Sequence, residues 1–144
     1  MNLVLVVQGK NISNAMENWL KVAAGIILKG DKVLIAKRPS NKHQGGLWEF
    51  PGGKVEANET PFQALKRELK EEIALDIIQA DLYHDIQFNY PDKSVHLFFF
   101  MVMDFSGDAK GLEGQEICWV SVSELGDYSF PEANQCVVER LLSS

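Results

Sequence analysis

Apolar positions along the chain follow two periods. Continuous or alternating apolar runs over Trp19 to Leu28, Val33 to Ala36, Trp48 to Phe50, Gln79 to Tyr90, Val95 to Phe105 and Ile117 to Val120 predict strands. Lys29-Gly30-Asp31-Lys32 closes the first two into a hairpin, and Pro91-Asp92-Lys93-Ser94 turns the chain between two later ones. Val95 to Phe105 carries three consecutive phenylalanines, which predicts a central strand buried on both faces. The helical period appears at Phe62, Leu65, Leu69 and Ile73. Thr60 as N-cap, Pro61 at the first helical position and Gln63 reaching back as a capping box set its start, and the pattern ends at about Ala74. Pro131 to Leu142 predicts a second helix, with Ser123 capping a short turn before it. Strands and helices mix without regular βαβ alternation, so the expected fold is α/β (α+β), a mixed β-sheet between helices in an α/β/α sandwich.

The chemistry lies on the polar side of the first helix. At about 100° per residue, Glu71 and Glu72 fall on either side of Glu68, and three carboxylates share one narrow arc. Like charges at these spacings each cost a few tenths of a kcal/mol, so the cluster makes most sense around a cation. Mg2+ suits it, because that ion takes a few carboxylate oxygens, keeps several waters and lets substrate phosphates complete its shell; Mn2+ is the alternative. Arg67 lies beside Glu68 and one turn before Glu71, where it can orient a ligating carboxylate. Upstream, Gly52 and Gly53 form a glycine loop that lets backbone approach a ligand closely. An ordinary solvated acidic face is the competing reading.

With 144 residues the chain suits one domain with a core that needs no metal or disulfide staple. Its net charge of −6 and lack of a basic run argue against nucleic acid polymers and anionic membranes as partners. An acidic protein that handles anionic phosphates needs a cation between them, which agrees with the helix. Cys118 and Cys136 are too few for a disulfide framework, so they read as reduced thiols in a cytoplasmic protein. The apolar opening from Leu3 to Val7 is too short to span a membrane. Ser13-Asn14-Ala15 ahead of Met16 reads as a vector-derived scar, making residues 1–15 a tag remnant or a flexible extension and residues 16–144 a single domain. The oligomeric state is left open, and a monomer suffices.

The stretch from Gly53 to Leu75 resembles the Nudix box. Gly53, Glu59, Arg67, Glu68, Leu69, Glu71, Glu72 and Leu75 all fall at its spacings. A chance match is on the order of 10⁻⁸ per window when each fixed residue type is used at a few per cent, which decides against the solvated-face reading. Ala74 stands where the family has glycine; a left-handed cap there costs alanine roughly 1 kcal/mol. Glu49-Phe50-Pro51-Gly52-Gly53-Lys54, Tyr90-Pro91-Asp92, Glu113-Gly114-Gln115 and Phe130-Pro131-Glu132-Ala133-Asn134 are further similar to the MutT-like subfamily.

That resemblance implies metal-dependent hydrolysis of a nucleoside triphosphate to monophosphate and pyrophosphate, with 8-oxo-dGTP removed before it causes mutation. Another nucleotide, such as CTP, dCTP or an undamaged deoxynucleotide, fits the same box, and a non-catalytic binding module shares the fold. It implies further that Glu68, Glu71 and Glu72 hold metal together with the Gly52 carbonyl. Lys54 would orient phosphate or water. Glu113, in a glycine-rich loop flexible enough to act as a lid, would reach the metal and serve as general base, or remain a solvated loop acid. Arg38 and Phe50 would line the nucleotide pocket. Asn134 would read the purine edge, or cap the second helix. His43 would touch sugar or phosphate, or have no role as an exposed loop histidine, while His84 and His96 read as structural.

Overall fold

The computed structural model describes residues 19–39 and 45–144. Residues 1–15 and His43, for which expectations were stated above, lie outside them. Among the described residues seven strands and two α-helices follow in order: β1 (Leu20–Lys29), β2 (Lys32–Lys37), β3 (Trp48–Glu49), β4 (Gly52–Lys54), α1 (Pro61–Ile73), β5 (Asp76–Asn89), β6 (Ser94–Ser106), β7 (Ile117–Ser121) and α2 (Gln135–Ser143). The expected hairpin forms, with Leu28 opposite Val33 and Lys29 opposite Lys32. β1 runs parallel to β6 and every other pairing is antiparallel, which makes the sheet mixed.

Alternation along β1 builds two cores. Ala23 and Ile27 join Leu65, Leu69 and Ile73 of α1, while Ala24 and Ile26 join Val137, Val138 and Leu141 of α2. In β6, Phe99 turns to the α2 side and Phe100 to the α1 side, so the strand is buried on both faces as its composition predicts. The result is a sandwich of helix, sheet and helix.

One edge of β1 is shared by two partners. Its C-terminal end pairs with β2, whereas Val22, Ala23 and Ala24 pair with Lys54, Gly53 and Gly52 of β4. Between them the Gly25 N–H donates to the Pro51 carbonyl at 2.8 Å. The sheet therefore forks, and the glycine pair expected in a loop is a strand. Gly52 is required there because a Cβ would collide with the Ala23 backbone.

Two expectations at the C-terminal end need correction. Ser123 does not cap a turn; it lies within a 3₁₀ helix over Val122–Asp127 whose N-cap is Ser121. The second helix does not start at Pro131, since a 3₁₀ turn at Glu132–Asn134 precedes α2. Pro131 sits outside that turn as its N-cap, with φ −57° and ψ 152° instead of helical backbone.

Candidate active site

The site is built from the start of α1 upward. Thr60 Oγ1 accepts from the Gln63 amide at 3.1 Å and the Gln63 side chain accepts from the Thr60 amide at 2.9 Å, completing the capping box. Such a cap is worth about 1 kcal/mol, and it fixes the rotation of the acidic face. Leu65, Leu69 and Ile73 are fully buried below, and Glu68 is turned towards Gly53 of β4. Glu68 lies directly over Gly53, where a side chain would force its carboxylate out of the place in which Arg67 holds it. This is a steric reason for the box glycine.

Arg67 binds the box together. Its Nε and Nη2 donate to Glu59 at 2.7 and 2.9 Å, its Nη1 to Glu68 at 3.0 Å, and Nη2 also reaches the Lys54 carbonyl at 3.1 Å. Glu71 stands 3.6 Å from the same guanidinium with its side chain 58% exposed. The hydrogen bonds from Arg67, with one from the Glu56 amide, hold the Glu59 carboxyl down at about 2. Arg67 itself is raised above its ordinary value, chiefly by its bond to Glu59.

Glu72 is in the opposite situation. Burial first, then a hydrogen bond to Glu68 and the charges of Glu68, Glu113 and Glu49, push its carboxyl up to about 9. A carboxylate so placed keeps a proton near neutrality, and a cation in its stead would remove both the repulsion and the proton. Among the described residues no three His, Cys, Asp or Glu side chains stand gathered as a ready metal cluster. The donor set is nonetheless all oxygen and strongly anionic, which fits a hard divalent ion.

The glycine-rich loop expected to act as a lid folds over the end of α1. Lys110 and Leu112 amides donate to the Ile73 and Glu72 carbonyls at 2.9 Å each. Ala74 takes the left-handed conformation with φ 64° and ψ 27°, so the geometry usually given to glycine is kept. Glu113 is exposed on this loop, close enough to act on Glu72.

A narrow slot of about 100 Å³ opens on the α2 side of the fork, between Leu20, Val22 and Ala24 of β1 and Val95 and Leu97 of β6. Phe50 forms one wall, stacked on Phe130 at 5.2 Å and edge-on to Phe99 at 6.1 Å. Arg38, Tyr90, Lys93 and Asn134 supply its polar groups. Asn134 is only 8% exposed. It is the residue before α2, yet its side chain makes no capping hydrogen bond. Arg38 also lines an open cleft of about 470 Å³ beside Lys37 and Glu113.

The structure thus gathers Arg38, Phe50 and Asn134 in one slot, and it sets Glu72 in hydrogen bond with Glu68 and within the field of Glu113. Gly52 lies in β4 beside them. Lys54 is exposed, and its backbone carbonyl rather than its ammonium meets the Arg67 clamp. His84 and His96 are engaged elsewhere, by Arg140 and Asp85 at 2.8 Å each. Glu49 was missed: it lines the slot, pairs with Arg38 at 2.7 Å and adds to the field at Glu72. Its own carboxyl is raised by burial against the opposing pull of Arg38. A carboxylate between two aromatics, just before the glycine pair, was the available signal.

The NUDIX domain family matches residues 23–140. The chain belongs to the Nudix family. It is 44% identical over 125 residues to the 8-oxo-dGTP diphosphatase of Haemophilus influenzae, covering 86% of this chain and 92% of that one. It is 36% identical over 124 residues to the CTP pyrophosphohydrolase of Escherichia coli, covering 86% and 92%. A solved MutT structure from work on Aliivibrio salmonicida and Vibrio cholerae superposes with a TM-score of 0.76 at 40% identity, covering 86% of this chain and 97% of that one. The Nudix chain therefore shares its architecture with the solved MutT structure. No helix among its described residues is long and apolar enough to cross a membrane.

Proposed function

We propose that this Nudix hydrolase converts 8-oxo-dGTP to its monophosphate and pyrophosphate, removing a mutagenic precursor. The observation that carries the reading is Asn134, a buried amide with no capping bond, which lines a slot walled by Phe50 whose Glu49 acts on Glu72 of the acidic helix. An amide offers donor and acceptor together, which suits a purine edge that carries carbonyl and N–H side by side. Phe50 would flank the ring plane, and Arg38 would reach from slot to cleft towards sugar or phosphate. The relatives named as 8-oxo-dGTP diphosphatases support the substrate.

Nudix hydrolases use divalent metals, and we assign Mg2+, with Mn2+ as substitute, to Glu68, Glu71, Glu72, Glu113 and the Gly52 carbonyl. A bound ion supplies charge neutralisation for the phosphates and a more acidic water. Arg67, held by Glu59, keeps Glu68 in its orientation. Glu113 takes the proton from the attacking water, and Lys54 steadies phosphate or water. The rest is positioning, which is most of what phosphoryl chemistry asks of a protein. Residues 16–144 are taken as one domain in the cytoplasm, in keeping with free thiols at Cys118 and Cys136.

A panel of 8-oxo-dGTP, dGTP, CTP and dCTP with purified protein and Mg2+ tests the reading. kcat/KM is expected to be highest for 8-oxo-dGTP. Asn134→Ala should lower it by about 10- to 100-fold, as losing a buried hydrogen-bonding group does, and dGTP should suffer much less. The CTP pyrophosphohydrolase relative favours a second reading; CTP as the best substrate would establish it and overturn the first.

A further inference from the structure

The lid is joined to α1 by main-chain bonds and by one side chain. The Gln115 amide lies between the backbones of two acidic residues: its Nε2 donates to the Glu72 carbonyl at 3.2 Å, and its Oε1 accepts from the Glu113 amide at 2.9 Å. Both bonds use the amide in one orientation, and flipping it would set donor against donor and acceptor against acceptor. The Glu72 carbonyl also accepts from Leu112, so both its lone pairs are occupied by lid donors. Gly111 passes so close to Gln115 that a Cβ would strike the Gln115 carbonyl. The loop's glycine content therefore serves a close wrap around this side chain as well as freedom to move.

We propose that Gln115 is a positioning residue that sets Glu113 at a fixed place relative to Glu72. This rests on the role given to Glu113 above. Two hydrogen bonds through one rigid amide connect the acid on the lid to the acid on the helix. A glutamate there would keep the acceptor for Glu113 but turn a carboxylate oxygen towards the Glu72 carbonyl, and alanine would remove both bonds. The Lys110 and Leu112 main-chain bonds remain in either variant and keep the loop on the helix. Misplacing a reacting group by about 1 Å can cost on the order of 10²-fold in rate, so a clasp of this kind belongs in the rate and not in substrate affinity.

The test combines two readouts. In the metal-free protein, amide hydrogen exchange at Glu113 should speed up about tenfold in Gln115→Ala, with less change at Leu112. With Mg2+ and 8-oxo-dGTP, Gln115→Ala and Gln115→Glu should lower kcat by about 10- to 100-fold with KM little changed. In a Glu113→Gln background, Gln115→Ala should add little further loss, because nothing is left to position. Unchanged exchange at Glu113, an unchanged kcat, or a loss that persists in full in the Glu113→Gln background would each overturn the clasp. An unimpaired Glu113→Gln would instead overturn the role of Glu113 on which the clasp rests.

Discussion

Around the first half of α1, Glu59, Arg67 and Glu68 satisfy one another through hydrogen bonds of 2.7 to 3.0 Å, whereas in the last turn Glu72 meets the negative field of Glu68, Glu113 and Glu49. The same contrast holds for the backbone. The helix begins in a complete capping box and ends on an alanine in a conformation that alanine avoids, with its last carbonyls satisfied by the lid. Local strain and unrelieved charge at one end of an otherwise well-made helix mark where function overrides stability. The satisfied end holds the geometry, and the unsatisfied end is where an ion and a substrate phosphate would find their binding energy.

The largest effect should come from the unsatisfied end. Glu72→Gln keeps shape but removes the charge proposed to bind metal, so kcat/KM should fall by roughly 10³-fold or more, several kcal/mol in transition-state terms. The metal-free variant should be at least as stable as the wild type. The pH dependence gives the sign. With its folded pKa raised from 4.5 to about 9, Glu72 stays protonated while the unfolded chain has already ionised, so stability is lost as pH rises between those values. Glu59, lowered from 4.5 to about 2, contributes stability above 4.5 that is lost as pH falls towards 2. Denaturant titrations from pH 5 to 9 in chelator should show a falling wild-type profile, a flatter one for Glu72→Gln, and flattening of the wild type when Mg2+ is added. Near-normal turnover in Glu72→Gln, or parallel profiles, would erase the contrast between the two ends.

A smaller effect is expected at the satisfied end. Glu59→Gln weakens the clamp on Arg67 without touching the acidic cluster, and a partner one step removed from a metal ligand typically matters by about 10- to 100-fold. Here activity and stability should fall together, the reverse of Glu72→Gln. Steady-state kinetics beside a denaturant titration reads both, and a stability gain in Glu59→Gln would mean that Arg67 is held by something other than this pair.

The difference between the ends also governs what could be read from the sequence. The capping box, the apolar stripe and the carboxylate spacing are local, so Thr60, Gln63, Glu68, Glu71 and Glu72 were legible directly, as was the hairpin through Gly30. The Gly52–Lys54 strand was not, because Pro51-Gly52-Gly53 carries loop signals and becomes a strand only by pairing with Val22 to Ala24 of β1. Glu49 and Gln115 were equally hidden. Their partners Arg38 and Glu72 lie 11 and 43 residues away in sequence, and no local period records such contacts. Asn134 was legible as a polar residue at a helix start, yet only tertiary structure shows that its side chain does not cap.

The smallest effect concerns Ala74. At φ 64° and ψ 27° the residue sits in the left-handed region, while the Leu75 amide closes the helix end by donating to the Leu69 carbonyl at 3.2 Å. Glycine enters that region without a Cβ penalty but adds freedom to the unfolded chain, so the two terms oppose one another and the net gain for Ala74→Gly should be up to about 1 kcal/mol. Gly107 passes so close to the Ala74 carbonyl that it has no room for a Cβ of its own, which ties the lid's first residue to this cap. If Ala74 stores strain that the lid holds in place, the glycine variant should raise the denaturation midpoint and leave the Glu72→Gln loss of activity unchanged. A lower midpoint would mean that the Ala74 methyl contributes more packing at the lid junction than its backbone costs, and the two ends of α1 would then differ in charge alone.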